Sequence, residues 1–333
     1  MKRLIAEFEE QSFTQIVFPH KNTDWTCCLQ EARENFVNII NAIIKYQKCL
    51  VVCENIDETK SYFEKNENLY FVEYETNDCW ARDTSALCVE NGSDIELLDF
   101  TFTGWGGKFE ASKDTKMTPC ISKYYSKKIK TIDFILEGGA VESNGADAIL
   151  TTAECMLNKN RNSALDSIET TKRLNEHFGA TKIHYLEHGY LAGDDTDSHV
   201  DTLARFVDEN TIMYVEPPKD KSDEHYKALK SMEDELHVIA KENKYKLVEL
   251  PFCDAVYFED ERLPATYANF LFVNGAVLVP VYGVSQDKEA LKIFEEFFTD
   301  RDVVAIDCST LIKQHGSLHC VTMNFALGVD ITL

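Results

Sequence analysis

The chain has 333 residues, 44% of them hydrophobic and 27% charged; that balance belongs to a globular protein and excludes a disordered or collagen-like one. No stretch approaches the roughly 20 apolar residues of a membrane-spanning helix. Acidic side chains outnumber basic ones 57 to 34, a net charge of −23, which makes nucleic acid a poor partner and favours a cationic ligand.

Length allows about two domains or one large β-rich domain. In chain order, a strand near residues 15–18 comes first. Residues 34–48 then place Phe36, Ile39, Ile40, Ile43 and Ile44 on one face of a helix. A hairpin follows, 82–90 returning through 95–98 around Asn91-Gly92. A second runs 137–142, turns near Asn144-Gly145 and returns through 148–151. Residues 165–178 form a helix closed by Gly179. A third hairpin joins 201–207 to 212–215, a helix spans 224–241, and a fourth hairpin turns at Asn274-Gly275. A helix over 288–298 and a short strand over 320–325 complete the series. Asn-Gly between apolar runs is a strong hairpin signal, because both residues tolerate positive φ. The repetition predicts about five related units of hairpin, helix and further strand, set around an axis and closed by the N-terminal strand against the C-terminal one.

The repeat also aligns chemistry. Asp83, Glu137 and Asp201 each lie seven or eight residues before a turn, and Cys320 opens the last strand at a similar place. Rotationally related units would point all four at one centre. His199 and Asp201 are expected on one face of a strand, a pairing suited to acid/base work, although a surface pair is the commoner reason for His-x-Asp. His319, adjacent to Cys320, should point the other way. The acidic run 194–201 fails as an EF-hand, since Val200 and Phe206 stand where Gly and Glu are required. No HExxH, GxGxxG, P-loop or GxSxG occurs, so no metal or cofactor is expected. Eleven scattered cysteines lack a CxxC pair and read mostly as small buried hydrophobes. The start of the chain turns acidic before any signal-peptide core, and the expected compartment is the cytoplasm.

Trp80-Ala81-Arg82-Asp83, Glu137-Gly138-Gly139, His199-Val200-Asp201 and His319-Cys320, in that order, resemble the agmatine deiminase and bacterial-type peptidylarginine deiminase family of guanidine-modifying enzymes. The resemblance implies a five-bladed, pseudo-symmetric α/β propeller, the pentein fold, as a single catalytic domain over residues 1–333, and a homodimer. It implies hydrolysis of agmatine to N-carbamoylputrescine and ammonia, with Cys320 as nucleophile and His199 as general acid/base. Asp83 and Asp201 would grip the guanidinium, and Glu137 would orient His199. Acids around the cysteine should raise its pKa until a cation binds, so the thiolate is expected mainly with substrate present. Trp80 is a candidate cover for the methylene chain and Asp195 for the far ammonium, while Arg82 reads as structural. Gln314-His315-Gly316 and Met323-Asn324-Phe325 depart from the family pattern around the nucleophile, which bears on specificity. Arginine or peptidyl-arginine as substrate, a non-catalytic binding propeller and a guanidine transferase are the rival readings.

Overall fold

The computed structural model describes residues 2–333. It is an α/β structure whose described residues form five sheets of three or four strands and one two-stranded ribbon. The five sheets share one plan. In each, an antiparallel pair is followed by a helical segment and then by a strand parallel to the second member of the pair. Leu87–Asn91 pairs with Asp94–Thr101, which runs parallel to Ile129–Ile135. Glu142–Ser143, Ala148–Thr152 and Lys182–Leu186 repeat this, as do Ala204–Asp208, Thr211–Val215 and Lys246–Leu250. Leu271–Val273, Ala276–Val281 and Asp302–Asp307 make the fourth set. In the fifth the pair is built from the two ends of the chain. Thr322–Ala326 lies antiparallel to Gln11–Val17, which is parallel to Lys48–Cys53.

Burial explains the layering. Ala148–Thr152, Thr211–Val215 and Leu271–Val273 are buried at every position, whereas the third strands of those sheets are half-exposed. The hairpins are therefore innermost. Gly92, Gly145 and Gly275 take φ of 68°, 73° and 76° at three turns, a conformation that costs glycine little. The helix Leu29–Ile43 buries Phe36, Ile39, Ile40 and Ile43, each contributing about 1.5–3 kcal/mol by removal from water. Ser167–Phe178 starts at Asp166, whose side chain accepts from Glu169 N, and ends at Gly179 with φ 67°. Tyr226–Asn243 and Asp287–Phe297 fall where periodicity places helices. No helix among the described residues is long and apolar enough to cross a membrane.

The approaches to the hairpins differ from expectation. Asp83 lies on a short helix, Ala81–Thr84, not on a strand. Glu137 precedes the 3₁₀ turn Gly138–Ala140. His199 precedes another, Val200–Thr202, which contains Asp201, and the strand begins only at Ala204. Two-residue alternation therefore does not relate His199 to Asp201. Thr202 is the physical reason: its Oγ1 donates to His199 O at 2.8 Å and its backbone N at 3.3 Å, closing the turn before a strand can start. Ala81–Thr84 packs on Gly138–Ala140, and Gly138–Ala140 on Val200–Thr202. The three turns thus form one continuous surface.

Candidate active site

Asp83 and Thr202 of that surface help line a pocket with about 570 Å³ of empty space, its open mouth included. Cys320, His199 and Asp83 lie in its wall. Each is nearly sealed from solvent, at 9%, 1% and 6% exposure. Asp83 accepts from Gly139 N at 2.9 Å and from Trp105 Nε1 at 2.9 Å, and its Oδ1 faces His199 Nδ1 at 3.8 Å. A Cβ on Gly139 would lie 2.7 Å from His199 Nδ1, 3.0 Å from Asp201 Oδ2 and 3.1 Å from Asp83 Oδ1. Only a residue without a side chain lets these three groups converge. Asp201 sits behind the pocket wall, bonded through Oδ2 to His319 Nδ1 at 2.7 Å and to Asn269 Nδ2 at 3.3 Å. Its Oδ1 and His199 Nε2 are buried without a partner, an arrangement that leaves hydrogen-bonding capacity unused.

The electrostatics follow from this packing. Burial raises the Asp83 carboxyl above its ordinary range against the pull of His199. Burial works to lower His199, but Asp83 and then Cys155 push it up to about 10. Burial would raise Asp201, yet the hydrogen bond and charge of His319 bring it below the usual value. Burial, then Asp201 and Asp83, push the Cys320 thiol well above its ordinary value. Cys320 is thereby biased toward the thiol and away from the thiolate.

The other residues singled out in the sequence are also close by. Glu137 is fully buried, and both its oxygens accept from Arg161 Nε, at 3.0 and 2.9 Å. Glu137, Cys155 and His199 bring one ligand-type atom each within 4.8 Å of one another. Arg161 also reaches Asp197 Oδ2 at 2.7 Å and Thr196 O at 2.9 Å, tying Glu137 to the loop that carries His199. Trp80 lines the pocket, donates to Asp78 Oδ2 at 2.8 Å and lies flat over Gly316, where a Cβ would come within 2.1 Å of its ring. Asp195 stands at the mouth, its side chain 44% exposed. Arg82 points away, to Glu7 at 2.5 Å and Asn324 Oδ1 at 2.7 Å. His319 also points away from the pocket, though not by strand alternation: the strand begins only at Thr322, and the ring is bonded to Asp201 and Glu7.

Sequence reasoning missed several neighbours. Asn269 approaches the hairpin of the fourth unit, and Cys320 Sγ lies 3.4 Å from its Oδ1. Trp105 and Phe109 wall the pocket, and Asp24, Asp78 and Asp194 add to its acids. The signal for Trp105 was available: it is embedded in Gly104-Trp105-Gly106-Gly107, all four at positive φ.

The chain matches the family model of the Porphyromonas-type peptidyl-arginine deiminases over residues 3–325. It belongs to that family. Among solved structures it is similar to a Cys-to-Ser variant of C. jejuni agmatine deiminase with substrate bound, at 36% identity and a TM-score of 0.93, covering 98% of this chain and 96% of that one. It is similar, too, to a Porphyromonas gingivalis protein provisionally named an arginine deiminase, at 41% identity and a TM-score of 0.95, covering 99% and 100%. The agmatine deiminase of Pseudomonas aeruginosa is 27% identical over 351 residues, 96% of this chain and 94% of the relative. As a member of the deiminase family, the chain places its pocket thiol beside a buried histidine and carboxylate.

Proposed function

We propose that this protein is an agmatine deiminase. One observation carries the choice of substrate within the family. The pocket that holds Cys320 is lined by Asp24, Asp78, Asp83, Asp194 and Asp195, and no Lys or Arg is among its lining residues. Arginine would bring a carboxylate with no cationic partner, whereas agmatine carries a cation at each end. A peptidyl-arginine would leave the acids at the mouth without a charge to meet.

In this reading Asp83 and Asp201 hold the guanidinium nitrogens, which orients the planar group and sets its carbon near Cys320. Trp80 covers the methylene chain and Asp195 receives the far ammonium. The incoming cation lowers the cost of the thiolate, and the thiol proton leaves to bulk water as substrate binds. Cys320 Sγ forms a bond to the guanidinium carbon, and the C–N bond then breaks with its electron pair leaving on nitrogen. His199 gives that nitrogen its proton, and ammonia departs from a covalent thiouronium. His199 next takes a proton from water. The oxygen bonds to carbon, the C–S bond breaks with its electron pair on sulfur, the hydroxyl proton passes to that sulfur, and N-carbamoylputrescine is released. Glu137, fixed by Arg161, supports the charged form of His199.

The five sheets of like plan support a five-bladed α/β propeller with one catalytic domain spanning residues 1–333, and the family likeness supports a homodimer. Eleven unpaired cysteines support a reducing compartment such as the cytoplasm. The test is ammonia release from agmatine, with the product checked by mass and Cys320→Ala as control. N-carbamoylputrescine from the wild type alone is the expected result. Activity on arginine or arginyl peptides and none on agmatine overturns the substrate assignment, and silence on all three overturns the reaction.

A further inference from the structure

His319 is the chain neighbour of Cys320 but takes no part in the pocket wall. Its ring is 1% exposed and lies between two carboxylates from distant parts of the chain. Nδ1 is 2.7 Å from Asp201 Oδ2, and Nε2 is 2.8 Å from Glu7 Oε2. A carboxylate only accepts, so each contact calls for an N–H on the ring. Glu7 is itself gripped by Arg82 Nη1 at 2.5 Å and Arg205 Nη2 at 2.7 Å. Burial works to raise the Glu7 carboxyl, but Arg82, His319 and Arg205 hold it well below the usual range. The backbone is fixed as well. His319 N donates to Asn269 Oδ1 at 2.9 Å, and Thr322 Oγ1 donates to His319 O at 3.1 Å. One oxygen of Asp201 is thus committed to this bridge, and the other has no partner.

We propose that His319 is a positioning residue for the deiminase reaction: anchored on Glu7 and carrying both ring protons, it clamps Asp201 Oδ2 so that Oδ1 is presented to the guanidinium. The proposal rests on the reading of Asp201 as a guanidinium ligand. A carboxylate held at one oxygen by a charge-assisted hydrogen bond loses the rotation that would otherwise scatter its free oxygen. Glu7, 312 residues away in sequence from His319, is then the remote end of the clamp. The pair Asp201–His319 sits beside the pair Asp83–His199, so each carboxylate has its own histidine companion.

Asparagine and glutamine separate the two ends of the ring. An asparagine amide nitrogen falls where Nδ1 lies, and a glutamine amide nitrogen falls where Nε2 lies. His319→Asn therefore keeps the donor to Asp201 and loses Glu7, while His319→Gln does the reverse. With agmatine, kcat/KM is expected to fall about 100-fold in His319→Gln and only about 10-fold in His319→Asn. A space-filling role predicts the opposite order, since glutamine better matches the volume of imidazole. Equal losses, or a better-preserved glutamine variant, overturn the proposal. A second measurement needs no variant at position 319. In 15N-histidine NMR, one slowly exchanging ring with N–H couplings at both nitrogens is expected to persist in His199→Ala. Its absence overturns the clamp. A wild type silent on every guanidine removes the proposed function instead, and the NMR result then decides the bridge by itself.

Discussion

Trp105 donates its indole N–H to Asp83 Oδ2 at 2.9 Å from a backbone held at φ 53° and ψ 51°. A bulky residue in the left-handed region costs of the order of 1–3 kcal/mol, and such outliers gather at functional sites. Here the strained residue both walls the pocket and steadies a carboxylate of the site. Replacing it with phenylalanine keeps the ring and removes the donor. Trp105→Phe should lower kcat/KM roughly tenfold and cost about 1–3 kcal/mol of stability by stranding a buried acceptor. Steady-state kinetics with agmatine and denaturant unfolding check both figures.

Gly139 is a steric prediction. Its backbone is not in the left-handed region, so an alanine would be conformationally acceptable, yet the added methyl would press on His199, Asp201 and Asp83 together. Gly139→Ala should lose activity by about 100-fold or more while costing about 1–3 kcal/mol of stability, the usual range for overpacking. A variant with near wild-type turnover would show that these groups tolerate displacement.

The raised Cys320 thiol sets its reactivity toward alkylating agents. A neutral reagent such as iodoacetamide should react slowly with the empty protein, and its rate should keep climbing with pH past the range of an ordinary cysteine. A planar amidinium reagent such as 2-chloroacetamidine carries the charge that burial and the aspartates withhold. It should inactivate the protein much faster at neutral pH. The ratio of the two inactivation rates, measured with mass-spectrometric assignment to Cys320, is the readout.

Asp78 supplies a pH dependence. Burial, with Asp24 close by, pushes its carboxyl up to about 7. Below that pH the group is neutral, and above it the charge is available to a bound cation. Agmatine binding to Cys320→Ala, followed by calorimetry, should therefore tighten as pH rises through about 7 and then level. Asp78→Asn should remove that step. The sign for folding is opposite: a carboxyl raised in the folded protein binds protons more strongly than in the unfolded chain, so its contribution to stability falls as pH rises from about 4 to about 7.

Local patterns in the sequence carried the repeat well, because Asn-Gly turns and helical periodicity are local physics. The outward course of Arg82 was legible from its place beside Asp83. What escaped depends on contacts across the chain. Arg161 meets Glu137 over 24 residues, Asn269 meets Cys320 over 51, and Glu7 meets His319 over 312. No spacing rule reports such pairs. The strand assignment for His199 and Asp201 failed for a different reason. A threonine hydroxyl bonded to a carbonyl three residues back bends the chain at a place where the apolar pattern alone reads as extended.

The junction between Thr322–Ala326 and Gln11–Val17, in which Thr322 faces Ile16, has a consequence for biogenesis. Cys320 lies two residues ahead of that last strand, whose partner is synthesised long before it. Asp83, Glu137 and His199 all precede the thiol in the chain and are made before it. The site therefore stays incomplete until the segment that carries Cys320 is made and Thr322–Ala326 pairs with Gln11–Val17. Contacts of such long range fold slowly, so on refolding from denaturant the return of turnover should lag the return of helical structure.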